Sequence, residues 1–308
     1  MLSSAPFECP SGLLKHAQQH LPLKTAVVNA GTETVMTSAK LATENNLIEP
    51  TLVGDSSVIN SIATAIHWDI GKFTVVDAGS EIKAAKLSVD LARSGEVSAL
   101  MKGHIHSKTL MQAALQRKQG IRLKRRPSHA FYMTVPGNEQ SICITDAVIN
   151  VLPRVKQKIA IARNVIELMH ALGNPKPRVA LISGTEAAMP EMPSSMDAAE
   201  VVKEVENGSL LGAEIAGPMA LDVAISKQAA TIKGVNNAVA GKADVLLVPN
   251  LEAGNILFKQ MVYSMSATAA GLVLGMKVPI MLTSRADPPE ARLASAALAS
   301  VYAAHRDL

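Results

Sequence analysis

The chain is poor in the residues on which several protein classes depend. Its 308 positions hold two cysteines, Cys9 and Cys143, one tryptophan, three tyrosines and four phenylalanines. Two cysteines exclude a disulfide scaffold, and so few rings leave little for stacking nucleobases. Charge of one sign is also scarce. Thirty basic against 26 acidic side chains leave a formal +4, which suits an anionic small molecule or plain solubility but is too weak for a nucleic-acid groove. No uninterrupted apolar run reaches the ~20 residues of a membrane span. The most membrane-like stretch, Met261–Thr283, is broken by Lys277 and Pro279 and reads as a buried helix followed by a buried strand. Met1–His20 carries Glu8, Pro10 and Lys15 where a secretory leader needs apolar residues, so a cytoplasmic location is expected. What the chain does have is 48% hydrophobic residues, enough to exclude disorder, and the length of about two domains.

Short β-branched runs alternate with longer amphipathic or Ala-rich stretches. Strands are expected at Thr25–Asn29, Thr51–Val53, Phe73–Val76 and Val97–Met101, with helices at Glu33–Asn45, Ser57–Ile66 and Glu81–Arg93, the last closed by Gly95. This alternation means crossover units and a mainly parallel sheet covered on both faces. His129–Val135 and Ser141–Thr145, joined through Pro136-Gly137-Asn138, instead read as an antiparallel hairpin. The basic run Arg122–Pro127 just before it marks a domain boundary. Beyond it, helices are expected at Pro153–Leu172, Met196–Val205, Glu252–Ser266 and Pro288–Ala304, and strands at Val179–Ser183, Ala243–Val248 and Val278–Thr283.

Ligands of open α/β sheets collect at the carboxyl ends of strands, and three such junctions are chemically loaded. In the first, a strand runs into Gly103, His104-Ile105-His106 and then Ser107, a natural N-cap. Lys108 and Thr109 follow, and the first-turn N–H groups suit an anion. A capped helix with solvated histidines fits these residues as well, and two histidines without further clustered ligands argue against zinc. In the second, Asn250 caps a helix whose first turn holds Gly254 and Asn255, both poor helix formers, with Lys259 one turn on. These offer an amide and a charge to a ligand, or merely a close packing contact and a solvated lysine. In the third, a buried strand ends in Thr283-Ser284-Arg285, and a guanidinium there suits bidentate phosphate binding. Asp287, followed by Pro288, Pro289 and Glu290, reads either as a helix cap with a capping box or as a chemical group. Asp222, after the Gly217-Pro218 turn, is a lone acid.

Together these stretches resemble the phosphotransacylases, the phosphate acetyltransferase and phosphate butyryltransferase family. The likeness is carried by MKGHIHS (Met101–Ser107), AGPMALDVAIS (Ala216–Ser226), ADVLLVPNLEAGNILFK (Ala243–Lys259) and VPIMLTSRAD (Val278–Asp287). It extends from near residue 95 to the C-terminus, with wording closer to the butyryl branch. The resemblance implies a two-domain, three-layer α/β fold like that of isocitrate and isopropylmalate dehydrogenases, usually a homodimer with a cleft between the domains. Residues 1–126 would be completed by 279–308 as one domain, with 127–278 as the other. It implies reversible acyl transfer between coenzyme A and inorganic phosphate, with no metal or redox cofactor.

Carried over by motif, Ser284 would stabilise the transition state and Arg285 would hold phosphate or acyl phosphate. The Ser107 turn, with Lys108 and Thr109, would cradle phosphoryl oxygens, and Gly254, Asn255, Lys259 and Asp222 would bind substrate. Two departures stand out. Gln112 occupies the place of an arginine in acetyl-branch relatives, so Lys108 or one of Arg122, Arg125 and Arg126 would compensate. Ala291 or Arg292 stands where those relatives have an aspartate base, which leaves Asp287, Glu290, His106 or water for the proton. A relative that binds coenzyme A or phosphate without turnover is the alternative. A dehydrogenase of the same architecture is disfavoured for want of a carboxylate cluster and a dinucleotide glycine signature.

Overall fold

A computed structural model of the chain describes residues 2–138, 140–283 and 287–306. The chain divides into two compact units, residues 7–125 with 268–308 and residues 1–6 with 126–267. After the first six residues the chain crosses between them twice more: once inside the basic run Arg122–Pro127, and once at Thr268, earlier than the residue 279 that the resemblance implied.

The first unit opens with α1 (Ser11–Ala17), which no periodicity announced. It continues through β1 (Leu23–Val28), α2 (Glu33–Glu44), β2 (Ile48–Gly54), α3 (Ser56–Ala65), β3 (Val75–Asp77), α4 (Glu81–Ser94), β4 (Ala99–Lys102) and α5 (Ser107–Ala114). Local chemistry sets the helix ends. Asp55 caps α3 by accepting from the N–H groups of Ser57 and Val58, and Ser80 caps α4 by accepting from Lys83 N. Gly95, at φ 91°, ends α4 in the left-handed conformation that suits glycine.

The second unit holds β5 (Ser128–Thr134), β6 (Ser141–Thr145), α6 (Val155–Ala171), β7 (Arg178–Ile182), α7 (Pro193–Glu206), β8 (Glu214–Met219), α8 (Leu221–Ile225), α9 (Lys227–Ile232), β9 (Val245–Leu247) and α10 (Leu251–Met265). The expected hairpin is there, with β5 and β6 antiparallel and Met133 opposite Ile142. The order is β5-β6-β9-β7-β8, and every pair after the first is parallel. Helix α7 begins three residues earlier than expected, at Pro193, whose fixed φ suits a first helical position. Neither β8 nor the two short helices after it shows a periodic signal.

The chain then returns to the first unit as β10 (Thr268–Leu274), β11 (Ile280–Met281) and α11 (Pro289–His305). The sheet of this unit runs β3-β2-β1-β4-β11-β10. Its strands are parallel through β11, and β10 is antiparallel to β11 with Leu272 opposite Met281. Of the buried helix and buried strand expected in Met261–Thr283, the helix is α10, which stops at Met265, and the strand is β11; between them lies an additional strand, β10, that was not expected. All seven β10 residues are buried, so no face needs polar side chains and the period that separates strand from helix is lost. Ala-rich α11 packs on β10, α2 and α1. Its burial from Ala291 to Ala303 makes it the core helix of this unit. Among the described residues no helix is long and apolar enough to cross a membrane.

Candidate active site

Strands β4 and β11 are parallel neighbours, with Met101 opposite Met281. The segment after each therefore leaves the carboxyl edge of the sheet side by side. After β4 the chain passes close to the end of β1. Gly103 N donates to Val28 O and His104 N to Asn29 O, both at 3.0 Å, and the Asn29 amide returns a bond to His104 O at 2.6 Å. A Cβ on Gly103 would lie 2.3 Å from Val28 O, so only glycine fits this crossing.

The turn that follows differs from the sequence expectation. His106 occupies the N-cap of α5 and Ser107 is its first helical residue, so Ser107 does not cap. Ser107 and Lys108 are exposed and Thr109 is half-buried. The cap is held instead by Glu81, from the first turn of α4. Its Oε1 accepts from His106 N at 3.0 Å, and Oε2 lies 2.9 Å from the His106 ring Nδ1. The Thr109 hydroxyl donates to the same carboxylate, and these bonds lower the Glu81 pKa to about 2. Thr109, read as a ligand for a phosphoryl group, is thus directed at Glu81. Gln112 is exposed and lines, with Thr109, Lys86 and Gln116, a hollow of about 200 Å³ between α4 and α5.

After β11, Ser284 and Arg285 lie outside the described residues. The segments flanking them are described. Arg292, from the first turns of α11, is 7% exposed. Its Nη1 donates to Thr283 Oγ1 at 3.2 Å and its Nε to Asp287 O at 3.4 Å. Burial lowers the Arg292 pKa, against the opposing charge of Asp287. The N-cap of α11 is Pro288, which has no side-chain acceptor, so the reading of Asp287 as the cap with Glu290 as its box partner is corrected. Asp287 stands one residue outside the helix, because two prolines with fixed φ start it at Pro289. Asp287 and Glu290 are both half-buried.

In the second unit, Asn250 caps α10 as expected, accepting from Ala253 N at 2.8 Å. Gly254 is buried against the turn after β6: a Cβ would meet Ala147 Cβ and Val248 Cγ2 at 2.9 Å. Close packing therefore accounts for Gly254. Asn255 is half-buried, its Nδ2 lying 3.5 Å from Ala147 O, and Lys259 is exposed. Asp222 sits on α8 with half its side chain exposed, 3.0 Å from Lys233, which also reaches Glu186. The hydrogen bond from Lys233 lowers the Asp222 pKa, so Asp222 belongs to a surface ion triad. Of the basic run, Arg126 belongs to this unit and donates through Nε to Asn150 Oδ1. Arg122 bridges Met276 through its backbone in the other unit.

Sequence reasoning missed Asp146 and Asn150, both buried at the end of β6. Asp146 Oδ1 accepts from the N–H groups of Val148 and Ile149 at 2.9 Å. Its Oδ2 accepts from His129 N at 3.1 Å and from the Asn150 amide. The Asn150 amide also donates to Pro127 O at 3.0 Å. This network fixes the turn that Gly254 and Asn255 abut. Glu81 and Arg292 were also missed as contacts of the two segments that follow β4 and β11. Among the described residues no three His, Cys, Asp or Glu side chains form a metal-ligand group.

A family profile described as "Phosphate acetyl/butaryl transferase" matches residues 78–300. A phosphate acetyltransferase of Rhizobium meliloti is 43% identical over 96% of this chain and 93% of its own. A phosphate butyryltransferase of Clostridium beijerinckii is 39% identical over 95% of this chain and 97% of its own. The closer likeness of the motif wording to the butyryl branch is not repeated in these identities. A crystal structure of a branched-chain phosphotransacylase from Enterococcus faecalis V583 superposes with a TM-score of 0.79 at 27% identity. That match covers 91% of this chain and 99% of the other.

Proposed function

Because the chain belongs to the phosphate acetyl/butaryl transferase family, we propose that it transfers a short acyl group, acetyl or butyryl, reversibly between coenzyme A and inorganic phosphate. In the direction of thioester synthesis the coenzyme A thiol gives up its proton and the thiolate attacks the acyl-phosphate carbonyl. The new C–S bond forms, the tetrahedral oxyanion collapses, and the carbonyl C–O bond to phosphate breaks to release inorganic phosphate. No electrons are exchanged with the protein, and we propose no metal or redox cofactor. A thiol of ordinary pKa, about 8.5, needs only a modest base.

The observation that carries this reading is the Met101–Met281 register, from which two motif-bearing segments leave neighbouring strands. On the first, Ser107 and Lys108 are proposed to bind the phosphoryl group, at a helix start that favours anions. On the second, Ser284 is proposed to donate to the developing oxyanion, Arg285 to hold phosphate, and Asp287 to take the thiol proton. Asn255 and Lys259 are proposed as further substrate ligands. Asp222 and Gly254 are better explained by their ion triad and their packing. The protein is proposed to work as a cytoplasmic homodimer, which its mass in solution tests.

Acetyl- or butyryl-CoA incubated with phosphate should release free thiol and form an equal amount of acyl phosphate. Ser284→Ala should lower turnover by about tenfold or more, and Arg285→Ala should raise the KM for phosphate. A Ser284→Ala enzyme of undiminished rate would remove Ser284 from the mechanism.

A further inference from the structure

Resting on the proposed reading, we infer that Glu81 is a positioning residue for the phosphoryl-binding turn, holding His106–Thr109 so that Ser107 and Lys108 meet the incoming anion. Glu81 is itself an anion at the start of α5. It takes the His106 backbone N–H at 3.0 Å, the ring Nδ1 at 2.9 Å and the Thr109 hydroxyl. Its own backbone is fixed, because it opens α4 directly after the capping Ser80, and α4 packs on α5. Three donors on the turn are thereby tied to one carboxylate on a separate helix, while Ser107 and Lys108 stay exposed. His106 and Thr109 are consumed in this scaffold, so the Ser107–Lys108 pair is what the turn offers to substrate. The side chain is not expected to touch the reacting atoms.

The expected signature is a split between the two substrates. Glu81→Ala should raise the KM for inorganic phosphate and for acyl phosphate by about tenfold, the equivalent of one hydrogen bond to a charged group. The KM for coenzyme A should stay within about twofold by the same reasoning. Glu81→Gln can still accept from His106 N and Thr109 and should restore the phosphate KM to wild type or below. Thermal unfolding verifies that the variants fold. Where Glu81→Ala does not, Glu81→Asp, one methylene too short to span both partners, should show the same rise. An unchanged phosphate KM in a folded Glu81→Ala or Glu81→Asp enzyme overturns the inference, and so does an equal rise in both KM values. Wild-type protein without acyl exchange would instead overturn the proposed function, so the two failures are distinguishable.

Discussion

At the scale of single residues, the site is shaped by what cannot be changed sterically and by charges held in place. A methyl group on Gly103 would sit 2.3 Å from Val28 O and 2.7 Å from Asn29 O, both backbone atoms. Gly103→Ala should therefore cost about 3 kcal/mol, at the upper end for overpacking. Gly254→Ala meets Ala147 and Val248 at 2.9 Å, yet gains ~1 kcal/mol of helix propensity. A smaller net loss of about 1 kcal/mol is expected there. Urea unfolding of the two variants tests both values and their order. Glu81 supplies a pH test. Its pKa falls from the usual 4.5 to about 2 on folding, so its contribution is complete above pH 4.5 and is lost as pH falls towards 2. Replacing it with Gln should flatten the acid limb of the stability curve between those values.

At the scale of elements, sequence signals succeeded where one face of an element meets water and failed where none does. The amphipathic α4 was legible through its Gly95 stop, and the hairpin through its Pro-Gly-Asn turn. By contrast β10 is buried throughout, so its apolar run carried no period and was not read as a strand. The site divides in the same way. Asn250 was legible because capping is local: its acceptor and donor are three residues apart. Glu81 was not, since His106 lies 25 residues away and no pattern joins them. Asp146 resembled any acid after a strand until its donors were seen converging. The cap of α10 carries a consequence for Asn255 and Lys259, the side chains proposed to bind substrate from that helix. Asn250→Ala should lower stability by about 1 kcal/mol, whereas Asn250→Asp should change it by only a few tenths. Chemical denaturation of both variants distinguishes a capping role from bulk packing.

At the scale of the whole molecule, the chain is organised by a return. Residues 268–308 supply β10, β11 and the buried α11 to the unit that began at residue 7. A chain ended after Ala267 should consequently lose the first unit's fold, seen as rapid proteolysis within residues 7–125. The second unit, whose strands all lie before that point, should resist. The same return brings Met281 alongside Met101, so the chemistry proposed at the two strand ends depends on it. Family membership and the α/β class were readable from four motifs, whereas acyl-chain preference was not, because apolar pocket walls converge only in three dimensions. The most direct test of the central claim follows radioactive inorganic phosphate into acyl phosphate with the wild-type enzyme. Direct exchange with the thiol requires incorporation when coenzyme A is present and none when it is left out. Incorporation without coenzyme A, or thioester loss that yields free acid in place of acyl phosphate, would contradict the account.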